Sequence, residues 1–416
     1  MKITVFDFRR ADQRELQTDE IMALYRTNGS EPEMNIHSAK EPALKDCIGC
    51  WSCWWKTPGK CALKDQGENI YEDYINSDEA VVLFSTKNGF IDGRGKTFLD
   101  RMIQHYMPYI VIRNGECGHV CRYEKYPLIS FYFEKDGLTE DEMTVIRKYL
   151  ARTAYHFQSK CREILKNGAK AEFADMCASP VQNEMLADTV SPRKPEGKWI
   201  IYNGSPRRKQ SNSMLIIEQI VKGMGLSEIS NIEIRNLNQI EKQEEWAKEF
   251  ENIDNQLFVF PLYVHAMPGC VMNFFEKLAP VNKDKVHMAF LIQSGFPETS
   301  QSYYLRPYLE LLTKRLGVSF DGIIIKGGVE GIHIKPEKAN RKFFGQMQEV
   351  GIVYGKDGIM DTRLKKEYEK EEYLSKGVQI LYRLFSFTGL TNFYWNYNLK
   401  QNGAYQSRFD RPYSKQ

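Results

Sequence analysis

From Lys198 onward, short apolar runs alternate with stretches of helix length, and this alternation leaves few folds open. Runs at 198–203, 231–236, 256–262, 286–293 and 320–326 read as strands, and the continuous apolar start Lys198 to Tyr202 suits a strand buried in a parallel sheet. The stretches between them, at about 211–224, 239–252, 269–279 and 300–316, are long enough for helices. Five strands with intervening helices predict a doubly wound parallel sheet.

The first half repeats this grammar less cleanly. Lys2-Ile3-Thr4-Val5-Phe6 starts it much as Lys198-Trp199-Ile200-Ile201-Tyr202 starts the second. Strand candidates are 2–8, 79–86 and 126–133, and helix candidates are 66–76, 94–105 and 139–165. Lys96 to Arg101 parallels Val271 to Lys277, which points to a diverged internal duplication. A chain of 416 residues is long enough for two domains, each with its own core. The expected architecture is α/β, with two flavodoxin-like doubly wound parallel-sheet halves (1–190 and 198–340) and a helical C-terminal tail (341–416). The polar, Pro-containing stretch 191–197 reads as the linker. The aromatics at 393–397 must pack against the body or a second subunit.

Lys+Arg is 57 and Asp+Glu is 54, so charge supplies no general drive toward nucleic acid or membrane. The start, MKITVFDFRR, lacks a signal-peptide core, and no run approaches the roughly 20 apolar residues of a membrane helix. The expectation is a cytoplasmic protein, whose nine cysteines stand as thiols or metal ligands rather than disulfides.

The segment from Asn203 to Ser213 joins the first strand of the second half to its first helix, where an open α/β sheet binds ligands. Gly204 permits close backbone approach. Ser205, Ser211, Asn212 and Ser213 offer hydroxyl and amide groups, the helix start offers unpaired N–H groups, and Arg207, Arg208 and Lys209 add charge. A monoester phosphate fits such a loop. Neither the GxGxxG nor the GxxxxGK[ST] template is matched. The bland alternative is a capped helix start with an incidental basic turn.

Cys47, Cys50, Cys53 and Cys61 fall within fifteen residues. One short loop can thus bring several thiolates to a compact object, as a cubane iron–sulfur cluster requires. Structural zinc usually draws on two separated pairs. Cluster, zinc and plain thiols stay open. Trp51, Trp54 and Trp55 either shield such a cluster or are ordinary core aromatics.

The loop at 204–213 resembles the phosphate-binding loop of the NAD(P)H-dependent FMN reductase family, which has the flavodoxin-like fold. The segments 260–269, 293–298 and 327–331 resemble that family's loops after the third, fourth and fifth strands, and the likeness covers most of 198–335. The resemblance implies that Ser205, Arg207, Ser211, Asn212 and Ser213 hold FMN phosphate. It further implies that Pro261, Leu262, Tyr263, Val264, Met267, Ser294, Gly295 and Phe296 surround the ring. The four-cysteine motif, with Lys64-Asp65 and Lys96 to Arg101, resembles that of iron–sulfur flavoproteins and implies a [4Fe-4S] cluster on Cys47, Cys50, Cys53 and Cys61. Related flavoproteins often complete the FMN site across a dimer, so the resemblance leaves a homodimer open, while the sequence does not fix the oligomer.

The first half departs from the pattern. Phe8 to Glu15 holds no Gly and no Ser/Thr group, and Asp12 and Glu15 would repel a phosphate. That half is expected to bind no FMN of its own. Arg9, Arg10 and Arg14 read as a solvated helix face. His265 reads as a polar loop residue, and Cys117, His119 and Cys121 as structural. The implied activity is an FMN-dependent NAD(P)H oxidoreductase passing electrons to a quinone, a small aromatic or a protein. The alternatives are an electron-transfer flavin module without a substrate pocket of its own and a non-redox protein with a vestigial site. No catalytic side chain is assigned.

Overall fold

The structure, a computed structural model, describes residues 1–414 apart from 13–16, 27–31, 39–43, 166–169, 173–189, 208–209, 230, 282–284, 370–372 and 388. The chain divides into two units, 1–180 with 376–416, and 181–375.

The first unit runs β1 (Lys2–Asp7), α1 (Thr18–Ala23), β2 (Glu33–Ser38), α2 (Ser52–Trp55), α3 (Gly67–Ile75) and β3 (Glu79–Phe84). A small hairpin of β4 (Thr86–Lys87) and β5 (Phe90–Ile91) leads to α4 (Gly93–Arg101). A longer hairpin follows, β6 (Tyr106–Arg113) with β7 (Glu116–Cys121), and then β8 (Leu128–Phe133), α5 (Glu140–His156), β9 (Cys161–Ile164) and β10 (Lys170–Glu172). The sheet order is β2-β1-β3-β8-β9-β10, parallel except for the last pair.

The second unit runs β11 (Trp199–Asn203), α6 (Asn212–Leu226), β12 (Ile232–Asn236), α7 (Gln243–Glu249), β13 (Asn255–Pro261), α8 (Gly269–Phe275), β14 (His287–Gln293), α9 (Leu305–Leu316) and β15 (Ser319–Lys326). It ends with α10 (Glu337–Asp357) and α11 (Thr362–Tyr368). Its sheet is wholly parallel, ordered β12-β11-β13-β14-β15. Both sheets therefore follow the flavodoxin-like order 2-1-3-4-5, and the repeat expected from the two similar starts is present. The tail segment 376–416 carries α12 (Lys376–Phe387) and α13 (Phe393–Gln401). None of the described helices is long and apolar enough to cross a membrane.

The second core packs Ile201, Leu257, Val259 and Leu291 of the sheet against Ile216, Ile220 and Met224 of α6 and Met347, Val350 and Tyr354 of α10. The two helices touch backbone to backbone: a Cβ on Gly351 would lie 2.1 Å from the Ile220 carbonyl oxygen. The stretch read as a linker is pinned to this unit. Arg193 donates from Nη2 to Asp321 Oδ2 (2.8 Å) and Asn255 Oδ1 (2.6 Å).

Three local expectations are corrected. The helix candidate 139–165 stops at His156, because Gln158 turns into the left-handed region (φ 54°), and the remainder forms β9. The C-terminal aromatics divide: Trp395 packs with Trp51, Trp54 and Trp55, with ring centroids 5.4, 5.1 and 6.1 Å away, while Phe393 and Tyr397 are exposed. Arg9 is no solvated helix residue. It lies just past β1, buried, and donates from Nε to Asp7 Oδ1 (3.0 Å) and from Nη1 to Glu134 Oε1 (2.9 Å). Thr18 donates to Asp7 Oδ2 at 2.7 Å. Arg10 is half-buried with Nε 3.2 Å from Asp92, and Arg14 lies outside the described residues.

Burial alone would raise the Asp7 carboxyl, but its bonds and attraction to Arg9 prevail and hold it below its usual value. The carboxyl end of β1, where the second unit has its phosphate loop, is thus filled by one guanidinium between two carboxylates. Removing the cation strands both acids in a buried site. Arg9→Ala should lower the unfolding free energy by about 3–5 kcal/mol, read by urea denaturation; a change near zero would show that water solvates the two acids.

Candidate functional site

In the second unit the strand order reverses at β11, and the loops after β11, β13, β14 and β15 meet at that end of the sheet. Hydrogen bonds tie them together. Asn203, wholly buried, accepts from the Ser205 N–H through Oδ1 (3.1 Å) and donates to Asn236 Oδ1 (3.0 Å). Ser205 Oγ accepts from the Arg207 N–H at 3.3 Å. Ser211 caps α6, its Oγ accepting from the Met214 N–H at 3.1 Å. Asn212 Nδ2 donates to the Val329 carbonyl beyond β15 (3.0 Å), and Gln293 Nε2 donates to Ser213 Oγ (3.4 Å) at the end of β14.

Ser205, Ser211, Asn212 and Ser213 are therefore gathered at the start of α6, all buried, with Arg207 half-buried beside them. Asn212 Oδ1 is buried and has no hydrogen-bond partner. Arg208 and Lys209 lie outside the described residues. Gly204 is required, though by the protein itself: a Cβ there would lie 2.5 Å from Val271 Cγ2 and 2.7 Å from Phe260 Cβ. The close approach is between loop and core.

After β13, Tyr263 and Ala266 exchange both backbone hydrogen bonds (2.8 and 3.0 Å), closing a tight turn over Val264 and His265. Both central residues have positive φ, 41° and 59°. Asn-Gly is the easy choice for such a turn, and a β-branched valine in that region is strained. Strain held by surrounding structure is a mark of ligand-binding loops. His265 is buried and its Nδ1 lies 3.1 Å from the Gln301 carbonyl oxygen. Leu262, Tyr263, Val264 and Phe296 are half-buried and Gly295 is exposed, whereas Pro261 and Met267 lie in the core. Ser294 is buried and donates to the Phe296 carbonyl at 2.9 Å.

Sequence reasoning passed over two residues here. One is Asn203, which organises the loop. The other is Glu330, whose Oε2 would lie 3.3 Å from a Cβ on Gly295. Burial, partly offset by the Arg207 charge, raises Glu330 to about 7. A carboxylate two residues after the Gly327-Gly328 pair is the available signal.

The four cysteines of the first unit also share a neighbourhood. The N–H of Gly49 bonds Cys47, and that of Cys61 donates to Gln104 Oε1 at 3.1 Å. Burial, Asp100 and the charges of Cys61 and Cys50 push Cys47 up to about 12. Burial and then the charges of Cys47, Cys61 and Cys50 push Cys53 well above its usual value. Three buried cations stand close: Lys96, Arg101 and Arg122 interact with Cys47, Cys61 and Cys53 respectively. Trp51, Trp54 and Trp55 pack against this loop, Trp54 Nε1 donating to the Tyr106 carbonyl at 3.1 Å. None of the eight described cysteines forms a disulfide. Among the described residues, no three His, Cys, Asp or Glu side chains gather about one ion's position. His119 packs tilted against Trp54, with ring centroids 4.6 Å apart and planes 52° from parallel.

No family model matches the chain, and no curated protein matches it. Solved structures do. An FMN-dependent NADH-azoreductase from Bacillus anthracis, in complex with FMN, is 15% identical, with 38% of this chain and 98% of that one covered at a TM-score of 0.30. An NAD(P)H:quinone oxidoreductase from Methanothermobacter marburgensis is 15% identical, with 37% and 94% covered at 0.29. General stress protein 14 from Treponema denticola, also with FMN, is 16% identical, with 38% and 98% covered at 0.30. Likeness at this level says nothing about what this chain binds.

Glu330 gives the site a pH signature. Its folded-state value lies above the usual 4.5, so the stability it contributes is full below about 4.5 and is lost as pH rises through about 7. Glu330→Gln should flatten the fall in unfolding free energy across that window; an unchanged slope would place the carboxyl in water.

Proposed function

We propose that the second unit binds FMN and that the protein is an NAD(P)H-dependent FMN oxidoreductase with a quinone, a small aromatic or a protein as acceptor. One observation supports this above others: four buried polar side chains and the first turn of α6 converge at the switch point of a flavodoxin-like sheet. Ser205, Ser211, Ser213 and the α6 N–H groups would hold the phosphate, with Arg207 adding charge. Asn212 Oδ1 is an acceptor for a ribityl hydroxyl. Leu262, Tyr263, Val264 and Phe296 offer apolar surface to the ring. Bound FMN supplies hydride acceptance from NAD(P)H and electron delivery to the acceptor. The residues around it bind, orient and exclude water, and no side chain is needed to move a proton.

The proposal extends to a [4Fe-4S] cluster on Cys47, Cys50, Cys53 and Cys61, which would supply single-electron steps. A cubane gives each cysteine its own iron and asks only that four sulfurs surround a common volume, whereas zinc needs them about one point. The three buried cations beside Cys47, Cys61 and Cys53 suit that larger, negatively charged object. Anaerobic purification should yield about four iron atoms per chain, as the cluster formula requires; iron below about one would end this part and leave the FMN reading intact.

For the FMN site, Ser205→Ala with Asn212→Ala should weaken flavin binding about tenfold or more, the loss of at least one hydrogen bond to a charged or buried partner, with the fold retained by circular dichroism. Unchanged flavin content would refute the assignment. NAD(P)H oxidation with a quinone by the FMN-loaded chain would establish the enzyme; a loaded chain inert toward every such acceptor would be a carrier.

A further inference from the structure

The first unit holds a cavity of about 360 Å³ between the β6–β7 hairpin and the chain's last sixth. That volume suits a small organic ligand. Met107, Ile110 and Val120 give it an apolar wall, and its polar lining includes Tyr109, Asn396 and Arg408 beside Ser386, Thr391 and Asn392. Among the described residues, no Asp or Glu lines it.

Tyr109, Asn396 and Arg408 are arranged so that the last two present donors. Tyr109 donates its hydroxyl to Asn396 Oδ1 at 2.8 Å, which occupies one lone pair of that oxygen and leaves Nδ2 to donate. The Arg408 guanidinium lies 4.0 Å from the Tyr405 ring centroid and 4.4 Å from that of Phe409. Nη1 donates to the Tyr405 carbonyl at 2.7 Å. Among the described residues no carboxylate comes within ion-pair distance of Arg408. A guanidinium stacked on aromatic faces is held in one orientation, and its planar fork matches a carboxylate or sulfonate.

We infer that this cavity binds a planar aromatic anion, with its ring against Met107, Ile110 and Val120 and its acid group on Arg408 and Asn396. The site is independent of the flavin reading, since none of its residues belongs to the second unit.

The probe is 2-naphthoate, titrated calorimetrically into the full chain. One site per chain is expected. Arg408→Gln should weaken binding by a factor of about ten or more, the effect of one lost charge-assisted hydrogen bond. Naphthalene-2-methanol, the uncharged counterpart, should bind the unaltered chain weaker by a similar factor. That comparison stands even if Arg408→Gln fails to fold. Val120→Trp, which fills the cavity, should abolish binding. Ser205→Ala with Asn212→Ala and saturation with FMN should both leave it unchanged. Absence of binding at millimolar naphthoate, equal affinity for the alcohol, or displacement by FMN would each overturn the inference.

Discussion

The reversal of strand order at β11 is the constraint from which the second unit's chemistry follows. Helices that cross to opposite faces on either side of β11 leave a crevice where no crossover can lie, and the loop after β11 must open into it. Asn203 then fixes the loop by bonding both Ser205 and β12. The start of α6 is aimed at the crevice because β11 and α6 are joined by so short a connection.

The first unit has the same reversal at β1 and uses it differently. Where the second unit gathers buried Ser and Asn side chains at the start of α6, the first spends its cation on its own acids: Arg9 bonds Asp7 and reaches Glu134 at the end of β8. A site already carrying two carboxylates against one guanidinium has no charge to offer an anion. The backbone topology provides the crevice in both units, and the side chains decide whether a ligand has a place in it.

Much of this is legible in the chain itself. Strands β11, β13 and β14 read correctly because burial on both faces leaves largely apolar runs, and the edge strands β12 and β15 read from their place in the alternation. The edge strand β2, Glu33–Ser38, escaped because only one flank needs to be covered and its residues are mostly polar. Strand β9 was absorbed into the preceding helix, whose end rests on the conformation of a single residue, Gln158. Arg9 misled because an arginine beside polar neighbours looks solvated when its second partner, Glu134, is distant in sequence. Glu330 was hidden for the same reason, since its raised value arises from burial that only the folded loops create.

If the second unit binds FMN as proposed, one flavin site per chain is the central consequence of this asymmetry between two like folds. Titrating the full-length apoprotein with FMN, followed by quenching of flavin fluorescence, counts the sites directly. One equivalent per chain is expected, abolished when Ser205 and Asn212 are both alanine. Two equivalents, or a single equivalent that survives that change and is lost when the Arg9 cluster is altered, would contradict it.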